Sequence, residues 1–286
     1  MKTLLWITLL EESRYLYMPD RMAEYARHKG LDCEVIIVDH IKFDSDKLFY
    51  NDTEVTRFPD IVFFREYNKA LRIFLYRRGV RCINSLYTID NTYDKLQCHK
   101  ALEKHGIVQP KFLYYTVKPT FAEVADKLGL PFVMKDRFGS NGTEVFLVHS
   151  QAELDCAIQD RDIRNYFFQE YISAAFGKDV RAFIIGGKIV ASYIRVNEKD
   201  FRGNFHFGAK IIPYEIPEEC QKTALRIVEI LKGEILSVDF MPIGEDHFVF
   251  CESNTNAFFV FFNELNFPLQ EMSIDYIVSV MKTKGG

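Results

Sequence analysis

Paired and clustered cysteines are missing from this sequence. Its six cysteines (Cys33, Cys82, Cys98, Cys156, Cys220 and Cys251) stand singly, without a C-x-x-C pair or the Cys/His spacing of a zinc site. That pattern argues against a disulfide framework and reads as reduced thiols in a cytoplasmic protein. A surplus of positive charge is missing too. The net charge is -4 and the isoelectric point is near 6.0, which disfavours nucleic acid or an anionic membrane as the main partner. No apolar run approaches membrane-spanning length. The stretch Met1–Leu10 carries one basic residue and is followed at once by Glu11-Glu12, so it reads as a first buried strand rather than a signal segment. No G-x-G-x-x-G follows that strand, which excludes the dinucleotide fingerprint. There is no internal repeat, no low-complexity tract and no credible Ser/His/Asp or Cys/His set for nucleophilic catalysis.

What is present is apolar and aromatic. Hydrophobic residues make up 48% of 286 positions, with 26 Phe and 15 Tyr, enough for large cores in two or three compact units. Residues 1–88 alternate strand and helix: strands over Leu4–Leu9, Cys33–Val38, Ile61–Phe64 and Val80–Ile83, helices over Asp20–Lys29 and Lys69–Arg78. Such alternation predicts a parallel sheet covered by helices, an α/β unit. Arg65-Glu66 lies at the carboxyl end of the third strand, where such sheets bind ligands; a surface ion pair is the plainer reading. Residues 89–169 form a second unit. A helix is predicted from Tyr93 to His105, a strand over Pro110–Thr116, and capping boxes at Thr120/Glu123 and Ser150/Glu153. Between those boxes lie Phe132–Lys135, the small-residue loop Gly139-Ser140-Asn141-Gly142 and a strand over Glu144–Val148. The loop offers backbone N–H groups that suit phosphates, although a hairpin turn uses the same residues. Lys135 is a cation ending an apolar strand, a position that needs a partner.

The third unit, 170–286, holds a hairpin through Gly186-Gly187, a polar segment from Asn197 to Lys210, a helix over Pro217–Leu231 and a closing helix over Ser273–Lys282. Its centre is Ser237–Asn254, two apolar runs flanking Gly244-Glu245-Asp246, which reads as a hairpin. Glu252 and Asn254 are two apart and share a strand face, and the turn folds Asp239 back beside them. Two carboxylates and an amide suit a hard cation already held by phosphates. A polar outer face would show the same period of two.

Taken in order, these segments resemble the ATP-grasp superfamily and, within it, the RimK-like amino-acid ligases. The resemblance implies a three-domain α/β and α+β architecture whose last two units clamp ATP. Asp94-Lys95 resembles the first ATP-contacting lysine, Phe132–Lys135 the second, and Gly139–Thr143, including Ser140, Asn141 and Gly142, the phosphate loop. Phe168–Ile172 is similar to the adenine hinge, with Gln169, Glu170, Tyr171 and Ile172 as nucleotide contacts. Asp179-Val-Arg181 and Arg202-Gly-Asn204 resemble elements beside the transferred phosphoryl group, which implies catalytic roles for Arg181, Arg202 and Asn204. Asp239, Glu252 and Asn254 match the metal ligands, for Mg²⁺ or Mn²⁺ in its place. Arg65 falls where such chains carry an arginine near the acceptor site.

The resemblance implies ATP-dependent ligation of a carboxylate to an amine through an acyl phosphate, joining an amino acid to a small molecule, peptide or protein. A symmetric homo-oligomer is the default for such an enzyme. Three departures leave alternatives open. Glu144 follows the phosphate loop where relatives have another glycine. Phe205-His206-Phe207 stands where they often carry His-Arg, with His206 available as a helper. Phe258, Phe259, Phe261 and Phe262 crowd a segment that either packs or lines an acceptor site. An ATP-binding module without turnover and a small-molecule kinase are the competing readings.

Overall fold

A computed structural model describes residues 2–13, 19–140, 142–204, 207–244, 246–257 and 268–282. The first unit is built on a parallel sheet in the order β2 (Asp32–Ile37), β1 (Leu4–Leu9), β6 (Ile61–Arg65) and β7 (Arg81–Ile83). Every residue of β1 is buried, as expected for a parallel strand covered on both faces. Leu4 and Trp6 point into one apolar cluster, Leu5 and Ile7 into another. Helices α1 (Pro19–His28) and α2 (Lys69–Arg77) supply the covering, while β3 (Ile41–Asp44), β4 (Lys47–Tyr50) and β5 (Thr53–Glu54) form a small antiparallel sheet.

An unexpected helix, α3 (Leu86–Tyr93), precedes the one predicted from Tyr93 to His105, which runs as α4 (Lys95–Glu103). Asp94 separates the two. Its backbone is extended, and its carboxylate accepts from the N–H groups of Leu96 and Gln97, so the side chain restarts the helix that its backbone interrupts. The strand expected over Pro110–Thr116 is only β8 (Phe112–Leu113). It edges an antiparallel sheet in the order β10 (Val145–Val148), β9 (Phe132–Asp136), β11 (Tyr166–Glu170), β8. Helices α5 (Phe121–Leu128) and α6 (Gln151–Ile158) pack on the face carrying Phe132, Met134, Tyr166 and Phe168. The Thr120/Glu123 capping box is complete. The Ser150 box is half formed, because Glu153 turns its carboxylate to the N–H and ring of His149.

The last sheet runs β14 (Lys210–Pro213), β13 (Lys188–Val196), β12 (Lys178–Ile185), β15 (Ile235–Pro242), β16 (Phe248–Asn254), all antiparallel. Helix α7 (Glu218–Leu231) covers the face carrying Val180, Ala182, Ile184, Leu236 and Val238. On the opposite face, Phe183, Ile185, Ala191 and Tyr193 join Leu5, Ile7, α1 and α8 (Leu269–Lys282) in one core, fixing this sheet to the first unit. Farther along the same face the residues turn from apolar to charged. That change of character is where the cleft begins.

Arg65 and Glu66 are not the surface pair the sequence suggested. Both are buried, at 1% and 3% exposure. Arg65 donates to the carbonyls of Thr255 and Ala257, so it ties the parallel sheet to the turn after β16. Glu66 accepts from the Thr8 hydroxyl and the Asn68 N–H. Burial nevertheless pushes its carboxyl from the ordinary value near 4.5 up to about 7. The folded protein therefore binds this proton more tightly than the unfolded chain, and stability falls as pH rises from about 4.5 through 7. Glu66→Gln keeps an acceptor for Asn68 and offers Thr8 a donor. It is expected to stabilise the protein by about 3 kcal/mol at pH 8 and by less than about 1 kcal/mol at pH 5. Urea melts at the two pH values check this, and equal effects at both would refute it.

Candidate functional site

A cleft opens between the sheet of β8–β11 and the sheet of β12–β16. Among the predicted site residues it is lined by Lys95, Lys135, Gly139, Ser140, Gly142, Gln169, Glu170, Tyr171, Ile172, Asp179, Arg202, Asn204, Asp239 and Glu252. Arg181, Thr143 and Asn254 stand outside the lining. Asn141, His206 and the aromatic run Phe258, Phe259, Phe261 and Phe262 lie outside the described residues.

One wall is the open face of the β9–β11 sheet. Lys135 pairs with Phe167, and Val133 with Gln169, so alternate residues that avoid the helix-covered core look into the cleft. Lys95, the first residue of α4, donates from Nζ to the Gly139 carbonyl and from its backbone N–H to the Arg137 carbonyl. Asp136 Oδ1 accepts from the N–H groups of Phe138 and Gly139, turning the chain into the loop. Arg137 anchors it: its guanidinium pairs with Asp94 and donates to the Arg164 carbonyl. Sequence reading stopped at Lys95 and Lys135 and missed this Asp94–Arg137 pair. The signal was an acidic N-cap next to one lysine and an arginine two residues after the other.

The other wall is the charged end of the last sheet. Arg181 stands opposite Asp239, Asp239 opposite Glu252, and Asp179 opposite Arg195, all on one face. Arg181 donates through Nε to Asp239 Oδ1 at 2.6 Å and through Nη2 to Oδ2. Arg195 donates to Asp179 at 2.6 Å and to Asp239 Oδ2 at 2.9 Å. Arg195 was missed because its strand alternates without any motif around it. Its buried inward position on β13 was the available cue. Burial pushes the Asp179 carboxyl up to about 6 despite the Arg195 guanidinium beside it. Burial pushes Glu252 the same way, but the charges of Lys95 and Arg181 and the Asn254 amide outweigh it and hold that carboxyl at about 2.

The third side is the segment after β13. Arg202 forks onto Asp200 at 2.9 and 2.7 Å and donates through Nη1 to the Gly142 carbonyl at 3.1 Å. Its guanidinium carbon lies 3.4 Å from the centre of the Phe207 ring, so the aromatic residue found where a basic one was expected stacks on the arginine. Two glycines let these segments meet. A Cβ on Gly142, whose φ is +72°, would sit 2.5 Å from Asn204 Oδ1, and one on Gly203 would strike the Asp179 carboxylate. Glu170 is at the cleft edge, but its carboxylate accepts from the Lys111 N–H.

Asp239, Glu252 and Asn254 can be tested as a cation site on their present bonds. Glu252 accepts from Asn254 at 3.0 Å and its side chain is 24% exposed. Asp239 is fully buried, and three guanidinium N–H groups occupy its two oxygens, leaving one lone pair of about four. Among the described residues no group of three His, Cys, Asp or Glu surrounds one point. The trio fits a hard cation that takes its remaining oxygens from a bound phosphate, with Glu252 the more accessible carboxylate.

The description of the RimK-like ATP-grasp domain matches residues 92–268. The chain belongs to the RimK-like ATP-grasp family. A probable alpha-L-glutamate ligase of Methanococcoides burtonii is 30% identical over 250 residues, covering 82% of each chain. Human N-acetylaspartylglutamate synthase A is 26% identical over 249 residues, which is 82% of this chain but 63% of the synthase. This RimK-like chain thus spans less than two thirds of that relative's length. Among solved structures, the ATP-grasp ligase PsnB complexed with a precursor variant, Mg and ADP superposes with a TM-score of 0.69 at 15% identity, covering 98% of each chain. The three-domain ATP-grasp architecture is therefore that of this RimK-like chain.

Proposed function

We propose that this chain is an ADP-forming carboxylate–amine ligase. It transfers the γ-phosphoryl group of ATP to a substrate carboxylate, and an amine then displaces phosphate from the acyl phosphate to leave an amide. The observation that carries this is the convergence on one cleft of two lysines, a glycine-bearing loop, Arg202, Asn204 and the Asp239/Glu252 pair. Phosphoryl transfer asks for positioning and charge neutralisation more than for a covalent nucleophile. Lys95 and Lys135 hold phosphate oxygens from the loop side. Gly139, Ser140, Asn141, Gly142 and Thr143 close over them and exclude water from the acyl phosphate. Gln169, Glu170, Tyr171 and Ile172 flank the base. Glu252, Asn254 and the last lone pair of Asp239 would hold Mg²⁺, or Mn²⁺ in its place, and the cation would supply charge neutralisation for the phosphates. Arg202 and Asn204 face the transferred group, while Arg181, behind Asp239 together with Arg195 and Asp179, sets the position of that carboxylate.

Two of the relatives carry glutamate in their names, the alpha-L-glutamate ligase and the N-acetylaspartylglutamate synthase, so glutamate is the first amine to test, with small molecules, peptides and protein tails as carboxylate partners. No described helix is long and apolar enough to cross a membrane. The test is phosphate release from Mg-ATP across pools of amino acids and short peptides, with hydroxylamine added to trap an acyl phosphate as hydroxamate. Pool-dependent release with hydroxamate, absent from a Glu252→Ala control, is the expected result. ADP formation, followed alongside, with neither free phosphate nor hydroxamate would replace the ligase with a kinase, which leaves the phosphoryl group on its substrate. Silence from every pool while Mg-ATP still binds would leave a binding module.

A further inference from the structure

Beside the cleft, on the same face of the β9–β11 sheet, lies a buried chain of polar groups whose first two members the proposed mechanism does not use. It starts at Gln109, passes through His99 on α4 and ends at Gln169, which lines the cleft. We propose that His99 and Gln109 are positioning residues that set the base selectivity of the nucleotide cleft, by locking the Gln169 amide with its carbonyl oxygen offered to the ligand. This rests on the reading of the cleft as a nucleotide site.

Each link follows from what the preceding atom can do. The backbone carbonyl of His99 can only accept, so the Gln109 atom 2.9 Å from it is the NH₂ group. The other end of that amide, 2.7 Å from His99 Nδ1, is then Oε1, and Nδ1 must carry the proton. The imidazole is 1% exposed and packed among the rings of Phe112, Phe167 and Phe250. Burial and the nearby Lys135 charge push its pKa down to about 4, so it is neutral near pH 7. A neutral ring protonated on Nδ1 has a bare Nε2, which accepts. The Gln169 atom 3.3 Å away is therefore its NH₂ group, and Gln169 Oε1 is the end left for a ligand.

An isolated glutamine amide rotates to suit either a donor or an acceptor. This one cannot without losing its bond to His99. A cleft that presents a fixed buried acceptor favours a purine with a donor at its 6-position, as in adenine, and opposes the 6-oxo group of guanine with oxygen against oxygen. Gln169 lies within the sheet, opposite Val133 on one side and Phe112 on the other, so the side chain carries its discrimination.

The test is equilibrium binding of Mg-ATP, Mg-GTP and the Mg complex of purine riboside triphosphate, which lacks the 6-substituent. The wild-type protein is expected to prefer ATP to GTP by about 100-fold and to purine riboside triphosphate by about 10-fold. His99→Phe fills the aromatic nest but removes the acceptor, freeing the Gln169 amide to turn. The ATP/GTP ratio should fall at least about 10-fold, with GTP binding tighter than in wild type. Gln109→Leu, at the half-buried edge, should shift the ratio in the same direction, and ¹⁵N spectra of wild-type His99 should report the Nδ1–H tautomer. A merely structural His99 would weaken both nucleotides equally. An unchanged ratio in both variants, or an Nε2–H tautomer in the wild type, would overturn the assignment while leaving ATP binding intact. Absence of ATP binding to the wild type would remove the nucleotide reading and this inference with it.

Discussion

Asp239→Ala is expected to abolish ATP-dependent turnover and, separately, to lower the unfolding free energy by about 3–5 kcal/mol. The two losses have different origins. Turnover fails because a carboxylate of the candidate cation site is gone. Stability falls because the same carboxylate accepts from both Arg181 and Arg195, side chains only 10% and 9% exposed. With Asp239 removed, Arg195 keeps Asp179 and Arg181 keeps only Glu252, at 3.7 Å. A guanidinium stripped of its bidentate partner inside a protein is costly because water cannot replace the lost carboxylate. Asp239→Asn separates the effects. Its carbonyl oxygen still accepts from one arginine, so most of the stability should survive while turnover does not. Urea denaturation beside a phosphate-release assay makes the comparison. An alanine variant as stable as the wild type would mean that Arg181 and Arg195 find water or other partners, and that the ionic cluster does not hold the sheet end together.

Legibility in the sequence followed whether a residue's task is local. Strand alternation, the Thr120 capping box and the hairpin bearing Asp239, Glu252 and Asn254 depend on neighbours within a few positions, and periodicity exposes them. The cap at Asp94 escaped because an aspartate near the start of a helical pattern looks the same whether it sits inside the helix or caps it. Arg195, the Asp94–Arg137 pair and the Gln109–His99–Gln169 chain join residues 10 to 70 positions apart. Only the packing of sheets against helices brings them together. Arg65 and Glu66 make the same point in reverse. Adjacent opposite charges suggested a surface pair, whereas consecutive residues leaving a strand point apart, and each found its own buried partners.

Arg202→Ala should be the opposite of Asp239→Ala: turnover is expected to fall about 10²–10³-fold with stability changed by less than about 1 kcal/mol. Arg202 is only partly buried, its pairing with Asp200 is local, and it lies at the cleft margin rather than within a core. What it does there is geometric. Three sides of the guanidinium are engaged, by the Asp200 fork, by the Gly142 carbonyl and by the Phe207 ring at 3.4 Å. These contacts fix the plane of a permanent charge between the phosphate loop and Asn204. Arg202→Lys keeps the charge but cannot reproduce the planar fork or the stacking, so it should recover no more than about tenfold of the lost rate. Steady-state kinetics distinguish two ways in which this residue serves the reaction. If Arg202 only latches the loop through Gly142, the KM for ATP should rise while kcat holds. If it stabilises the phosphoryl group in flight, kcat should fall while ATP affinity is nearly unchanged. The second outcome is expected, because Phe207 and Asp200 hold the guanidinium in place without the Gly142 contact, so its orientation does not depend on the loop it touches.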